Sequence, residues 1–172
     1  AGELREPASE TRRADMICFT RFLGGPIKFS QKYLGSIPQI KAHFRLDSLI
    51  NMESGEVCDV EILKNQPVVA FCGIANPEGF RQILQDTQVQ LKVFKTFPDH
   101  HKYSVNDIKQ LETKALFEGA KFVLLSEKDA VKLKGLKFSL PFYKVVIDLE
   151  ILEGREIFNK QITNTGHSIN QD

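Results

Sequence analysis

The chain has 172 residues, 42% hydrophobic and 26% charged, enough for one domain with a real core or one and a fraction. The formal net charge is +1, so no electrostatic footprint points to nucleic acid. Three widely spaced cysteines, Cys18, Cys58 and Cys72, form no CxxC pair and read as reduced, mostly buried thiols of a cytosolic protein. No apolar run approaches the ~18–20 residues that span a bilayer. The start, Ala1-Gly-Glu-Leu-Arg-Glu-Pro7, is charged, lacks the apolar segment of a signal peptide and has no initiator Met. The chain therefore reads as a fragment, or a processed or incomplete sequence.

In chain order, Pro7 is placed to open a short helix through Arg13. Met16-Ile-Cys-Phe19 is a short buried-strand candidate with no sheet of its own nearby, expected as the last strand of something preceding residue 1. The next twenty residues are irregular, broken by Gly24-Gly25-Pro26, Gly35 and Pro38, with room for a helical turn or two over Ile27 to Leu34. Ile40, Ala42, Phe44 and Leu46 alternate as in a half-exposed strand. Asn51 to Gly55 supplies a turn, and Val57 to Leu63 alternates again. Residues 40–63 are thus predicted as a two-stranded antiparallel hairpin that leans on a domain or joins two.

From Pro67 the pattern changes. Pro67-Val-Val-Ala-Phe-Cys72 is the continuous apolar run of a strand buried on both faces. Gly73 to Asn76 is a turn. Pro77 and Glu78 open a helix whose stripe is Phe80, Ile83 and Leu84. A strand follows over Val89–Phe94, then a helix over Val105–Glu118 with Ile108, Leu111, Ala115 and Leu116 inward and Gly119 as its stop. Lys121–Leu125 is the next buried strand, Glu127–Leu133 a short helix, and Tyr143–Leu149 the last strand. Residues 154–172 are polar, show no periodicity and are expected to fray. The alternation predicts an α/β fold: an open, mostly parallel, Rossmann-like sheet with helices on both faces, plus the antiparallel linker hairpin. Right-handed crossovers bring the loops after Cys72, Phe94 and Leu125 to one edge, where such sheets bind ligands.

Three stretches meet at that rim. The first is Gly73-Ile-Ala-Asn-Pro-Glu-Gly-Phe80, where a helix N-terminus offers free N–H groups to an anion. One glycine falls far short of a dinucleotide or phosphate-loop motif, so an ordinary turn reads equally well. The second is Phe97-Pro-Asp99-His100-His101-Lys-Tyr-Ser104. Asp beside His orients an imidazole for acid/base work. Two His without an acidic cluster elsewhere make a poor metal signature, and no metal site is expected. The plain alternative is a solvated loop with Ser104 capping the next helix. The third is Ser126-Glu127-Lys128-Asp129-Ala-Val-Lys-Leu133. Ser126 and Asp129 have capping-box spacing, a complete structural explanation; Lys128 is left to offer charge to a phosphate. Cys72 reads as core, and His43 and His167 as surface residues.

Together the motifs GIANPEGF, FPDHHKYS and SEKDAVKL, preceded by Leu4-Arg-Glu-Pro7 and Arg13-Ala-Asp15, resemble the C-terminal half of the tetraacyldisaccharide 4′-kinases, the lipid A 4′-kinases of Gram-negative bacteria. Each motif is short; the four in order and at this spacing carry the resemblance, which runs from about Gly2 to Glu153. Ser126 departs from the family's usual Thr, and either hydroxyl caps.

The resemblance implies transfer of the γ-phosphate of ATP, with Mg²⁺, to the 4′-hydroxyl of an acylated glucosamine disaccharide phosphate lipid. It implies a peripheral enzyme at the cytoplasmic face of the inner membrane and a soluble chain here. It implies two α/β domains joined by a two-stranded linker. This sequence then divides into the tail of a P-loop-type N-terminal domain (1–39), the linker (40–64), the C-terminal α/β domain (65–153) and a polar tail (154–172). The family's Asp-His motif falls on Asp99 and His100, the His assisting an acidic base across the cleft; His101 is less constrained. Glu127 and Lys128 are placed on the nucleotide side. No GxxxxGK[ST] occurs anywhere, and the family's membrane-contacting N-terminal helix has no counterpart. ATP, Mg²⁺ and the membrane are therefore expected to be held mainly by a missing N-terminal part, and this chain alone is expected to be inactive. Two other readings stay open: a non-catalytic α/β module that binds an anionic ligand, and a metal-dependent hydrolase using Asp99, His100 and His101.

Overall fold

The computed structural model describes residues 6–20 and 29–168, without the side chains of residue 31 and residues 164–168. The Gly24-Gly25-Pro26 stretch, Leu4 and Arg5 of the opening motif, and the side chain of His167 lie outside the described residues. In chain order the elements are a 3-10 turn (Ala8–Arg13), β1 (Ile17–Phe19), α1 (Gln31–Leu34), β2 (Gln39–Asn51), β3 (Val57–Cys58), a 3-10 turn (Val60–Leu63), β4 (Pro67–Cys72), α2 (Pro77–Gln85), β5 (Gln90–Thr96), α3 (Val105–Phe117), β6 (Phe122–Ser126), α4 (Glu127–Ala130) with a 3-10 turn (Val131–Leu133), β7 (Phe142–Glu153) and α5 (Arg155–Ser168). The chain divides into two compact units: residues 1–44 with 149–172, and residues 45–148.

The 45–148 unit is the expected α/β fold. Its parallel strands run in the order β7-β6-β4-β5. Strand β4 lies inside the sheet, between β6 and β5: Val68 to Cys72 are all at 0% exposure, so both faces of the strand need cover. Val68, Ala70 and Cys72 face α2 through Phe80 and Leu84. Val69 and Phe71 face α3 through Ile108, Leu111 and Ala115. The two helices thus cover opposite faces. Each begins as the sequence dictates: Asn76 caps α2 ahead of Pro77, and Ser104 with Asp107 closes a capping box on α3. Leu116 is exposed rather than inward, because the buried stripe runs 108, 111, 115 and residue 116 lies about 100° around the helix from Ala115.

The hairpin expected over 40–63 is shorter than its pattern suggested. Only Leu49↔Cys58 and Ile50↔Val57 pair across β2 and β3. Asp59 then accepts the Glu61 amide at 2.8 Å and starts a 3-10 turn that buries Leu63. The longer neighbour of β2 is β7, with Met52 N–H donating to Phe142 O at 2.9 Å. A two-residue strand cannot satisfy a thirteen-residue one, and β7 supplies the remaining partner.

In the other unit, β1 is not an orphan: it pairs in parallel with the start of β2, Ile17↔Gln39 to Phe19↔Lys41. Residues 155–168 form a helix where a frayed tail was expected. Gly154 (φ +83°) turns the chain out of β7, and Phe158 N–H donates to Gly154 O at 3.0 Å. Gln161 Nε2 donates to Asp15 O at 3.0 Å and Lys41 pairs with Glu153 at 2.7 Å. Polar Asn, Gln and Thr positions hid this helix from a periodicity reading.

A Cβ on Gly154 would meet Ile40 Cγ2 at 2.8 Å and Gln39 O at 2.9 Å, besides the left-handed backbone. Gly135 is also left-handed (φ +84°) but has nothing within 4 Å. Gly135→Ala should cost only the backbone penalty, about 1–2 kcal/mol. Gly154→Ala should cost more, and urea midpoints of the two variants measure the difference.

Candidate functional site

Strands β4, β5 and β6 are parallel, so their carboxyl ends share one edge of the 45–148 unit. The chain leaves β4 for β5 on one side and returns past it to β6 on the other. The gap between β4 and β6 is therefore a topological switch point, where open α/β sheets leave a crevice.

The turn after β4 contains Gly73, and space decides that residue. A Cβ there would meet Pro98 O and Tyr103 Oη, both at 3.0 Å, and Asp129 Oδ1 at 3.3 Å. The turn after β5 starts with Phe97 N–H donating to Cys72 O at 2.8 Å. His101 N–H closes onto Pro98 O at 3.1 Å, with His100 at φ +61° on the outside of the bend. Phe97 stacks on His101 (centroids 4.7 Å), and Tyr103 sits edge-on to Phe71 (5.3 Å) and Phe97 (5.1 Å). These rings seat the loop on the core.

The turn after β6 carries Asp129, fully buried at 0% exposure. A buried carboxylate must be compensated by donors. Its Oδ2 accepts Gly73 N–H at 2.8 Å and Ser126 Oγ–H at 2.6 Å; its Oδ1 accepts Lys132 Nζ at 2.9 Å. Burial pushes its pKa up, but the bonds from Ser126, Gly73 and Lys132 outweigh burial and hold the group below the usual carboxylate range. Tyr103 Oη is buried beside this carboxylate without closing a hydrogen bond of normal geometry. Burial and then the Asp129 charge push the tyrosine pKa up. The same two causes push the Cys72 thiol up to about 11, so Cys72 is core and no nucleophile near neutrality.

Asp99 lies on the surface of the rim. Lys128 Nζ donates to its Oδ1 at 2.7 Å, and that bond above all holds the carboxyl below its ordinary range. Its Oδ2 is 3.6 Å from His100 Nε2, and the His100 side chain is 80% exposed. Asp99 and His100 are thus adjacent, with the imidazole open to a partner. His101 differs: it is stacked on Phe97, and its Nε2 lies 3.3 Å from Asp107 Oδ2. Glu127 pairs with Lys144 at 3.1 Å. Lys128, read as a cation for phosphate, is engaged by Asp99. No three His, Cys, Asp or Glu side chains converge on a metal-sized point among the described residues.

Sequence reasoning took Asp129 as a cap and Gly73 as a turn residue, and did not single out Tyr103 or Lys132. Ser126 does cap, accepting Asp129 N–H at 3.2 Å, but the Asp129 carboxylate reaches back to Gly73, 56 residues away. An i, i+3 Ser-Asp spacing carries no sign of that partner.

The fold and the rim define a doubly wound α/β protein with charged side chains gathered at its switch point. The chain belongs to the tetraacyldisaccharide-1-P 4′-kinase family, whose model matches residues 1–166. It is 36% identical over 137 residues to a tetraacyldisaccharide 4′-kinase of Pelobacter propionicus, covering 80% of this chain and 37% of that protein. It is 35% identical over 152 residues to the one of Aquifex aeolicus, covering 87% of this chain and 44% of that protein. The crystal structure of an LpxK from Aquifex aeolicus in complex with ATP superposes with a TM-score of 0.65 at 29% identity, over 95% of this chain and 46% of that one. The chain spans less than half the length of these relatives.

Asp129 titrates lower in the folded chain than in the unfolded one, so its contribution to stability is present above the ordinary aspartate pKa, about 3.9. It is lost as pH falls through the lower folded value. The urea midpoints of the parent and Asp129→Asn should differ most near pH 7 and converge at acid pH.

Proposed function

We propose that this chain is the C-terminal portion of an enzyme that transfers the γ-phosphate of ATP to the 4′-hydroxyl of tetraacyldisaccharide 1-phosphate in lipid A biosynthesis. Family membership, the names of the relatives and the ATP complex of the Aquifex protein support this reading. The observation that carries it is the Asp99-His100 turn, placed at the end of β5 beside the switch point, with Lys128 on Asp99 and the imidazole directed outward.

Phosphoryl transfer needs cradled phosphates, a divalent cation and an oriented nucleophile. The share of this chain is the last. Lys128 holds the Asp99 carboxylate, and Asp99 borders the imidazole of His100. His100 then assists an acidic base supplied by a part of the enzyme that this chain does not span. Glu127 and Lys128, next to that turn, belong to its nucleotide side. Mg²⁺, which supplies charge neutralisation in such reactions, does not fit the donors here. Asp99 is paired with Lys128, Asp129 is saturated, and Asp107 serves Ser104 and His101. We assign the cation and the phosphate cradle to the remainder of the enzyme.

The domain division belongs to the same proposal. Residues 1–39 are the tail of a P-loop-type N-terminal domain, 40–64 the linker, 65–153 the C-terminal α/β domain and 154–172 a tail; the compact 45–148 unit supports the C-terminal domain. The enzyme would work peripherally at the cytoplasmic face of the inner membrane, on a lipid substrate. Among the described residues no helix is long and apolar enough to cross a membrane.

In the complete enzyme His100→Ala should lower kcat by about 100-fold or more and leave the KM for ATP nearly unchanged. Steady-state kinetics against both substrates check this. An unchanged kcat would remove His100 from the mechanism.

A further inference from the structure

We propose that Asp129 is a positioning residue: it fastens the Asp99-His100 loop to the strand ends from two sides and so sets the Lys128–Asp99 contact. The role in catalysis rests on the kinase reading above; the geometry does not.

On one side is the loop itself. Asp129 Oδ2 takes the Gly73 amide at 2.8 Å, which fixes the turn after β4. Pro98 O and Tyr103 Oη then close over Gly73, where a Cβ would lie 3.0 Å from each and force them to give way. Tyr103 borders the carboxylate through its hydroxyl, and Lys132, the cation on Asp129, lies 5.6 Å from the Tyr103 ring centroid. Pro98 and Tyr103 bracket Asp99 and His100 in the chain, so both ends of the bracket pack against the turn that Asp129 holds.

On the other side is the neighbour in sequence. Lys128 precedes Asp129, and a short helix anchored through the Asp129 carboxylate and the Ser126 cap presents Lys128 to Asp99 at 2.7 Å. Asp99 is exposed and would otherwise have little to hold it against water. Geometry that an exposed ion pair cannot maintain by itself is supplied by a buried charge one residue away. A capping role alone accounts for the Asp129 amide on Ser126, not for a carboxylate that reaches Gly73 and Lys132.

The test follows the Asp99 carboxyl by NMR titration in the 172-residue chain. In the parent it should titrate below the ordinary aspartate range. Lys128→Ala removes the partner and sets the full size of the change. Asp129→Asn, in molecules shown by circular dichroism to be folded, should move Asp99 most of the way to the Lys128→Ala value. Gly73→Ala leaves Asp129 intact and pushes Pro98 and Tyr103 outward; it should move Asp99 in the same direction, and it decides the matter if Asp129→Asn does not fold. An Asp99 titration unchanged in folded Asp129→Asn, or in Gly73→Ala where the former does not fold, overturns the proposal. In the complete enzyme Asp129→Asn should lower kcat about 10-fold or more with little change in the KM for ATP. A parent enzyme without kinase activity would sink the functional reading while leaving the NMR result to decide the positioning role.

Discussion

A carboxylate out of reach of water organises the working edge of this protein. Asp129 is fully buried, and the cost of removing its charge from solvent is offset only if strong donors converge on it. They come from the turn after β4, from the cap of α4 and from Lys132. None of these can be displaced without leaving a buried charge short of a partner. The arrangement is therefore all-or-none in a way that a surface ion pair is not.

The packing around that charge leaves no slack. Gly73, after the end of β4, is hemmed by Pro98, Tyr103 and Asp129, so a side chain there would have to displace them. The ring cluster of Phe71, Phe97, His101 and Tyr103 ties the loop after β5 to the core face covered by α3. His101 is part of that seating, held between Phe97 and Asp107. His100, one residue away, is turned out by its left-handed backbone. Two adjacent histidines thus have opposite environments, one packed and one presented.

The outcome is a rigid base under a small exposed charged group. Lys128, Asp99 and His100 sit on the surface, while Phe71, Ser126 and Asp129 beneath them are buried and Phe97, His101, Tyr103 and Lys132 are half-buried. A group that must meet a partner outside its own domain benefits from this division, since exposure allows the encounter and burial supplies the precision. In the proposed phosphoryl transfer, orientation is the contribution assigned to this chain.

Much of the fold was legible because its signals are local. The apolar run Val68–Cys72, Pro77 after Asn76, Ser104 ahead of Asp107 and Gly119 after α3 each state their role within a few residues, and the alternation of strand and helix follows from them. The Asp99-His100 pair was legible too, as adjacent titratable groups at a strand end. What local pattern did not determine was partnership. Residues 154–168 look like a polar tail, and only contacts with Asp15 and the reversal at Gly154 make them a helix with a place. The alternation in 57–63 suggested a full strand, but the long partner of β2 is β7, nearly a hundred residues later. Ser126 and Asp129 read as a cap; tertiary structure made Asp129 the shared acceptor of distant turns. The sequence by itself determined most element types and which side chains at the strand ends carry titratable groups, because those depend on side-chain chemistry and short-range periodicity. Tertiary structure alone decided which buried charge holds which loop, because a hydrogen bond across 56 residues leaves no trace in either residue's neighbours.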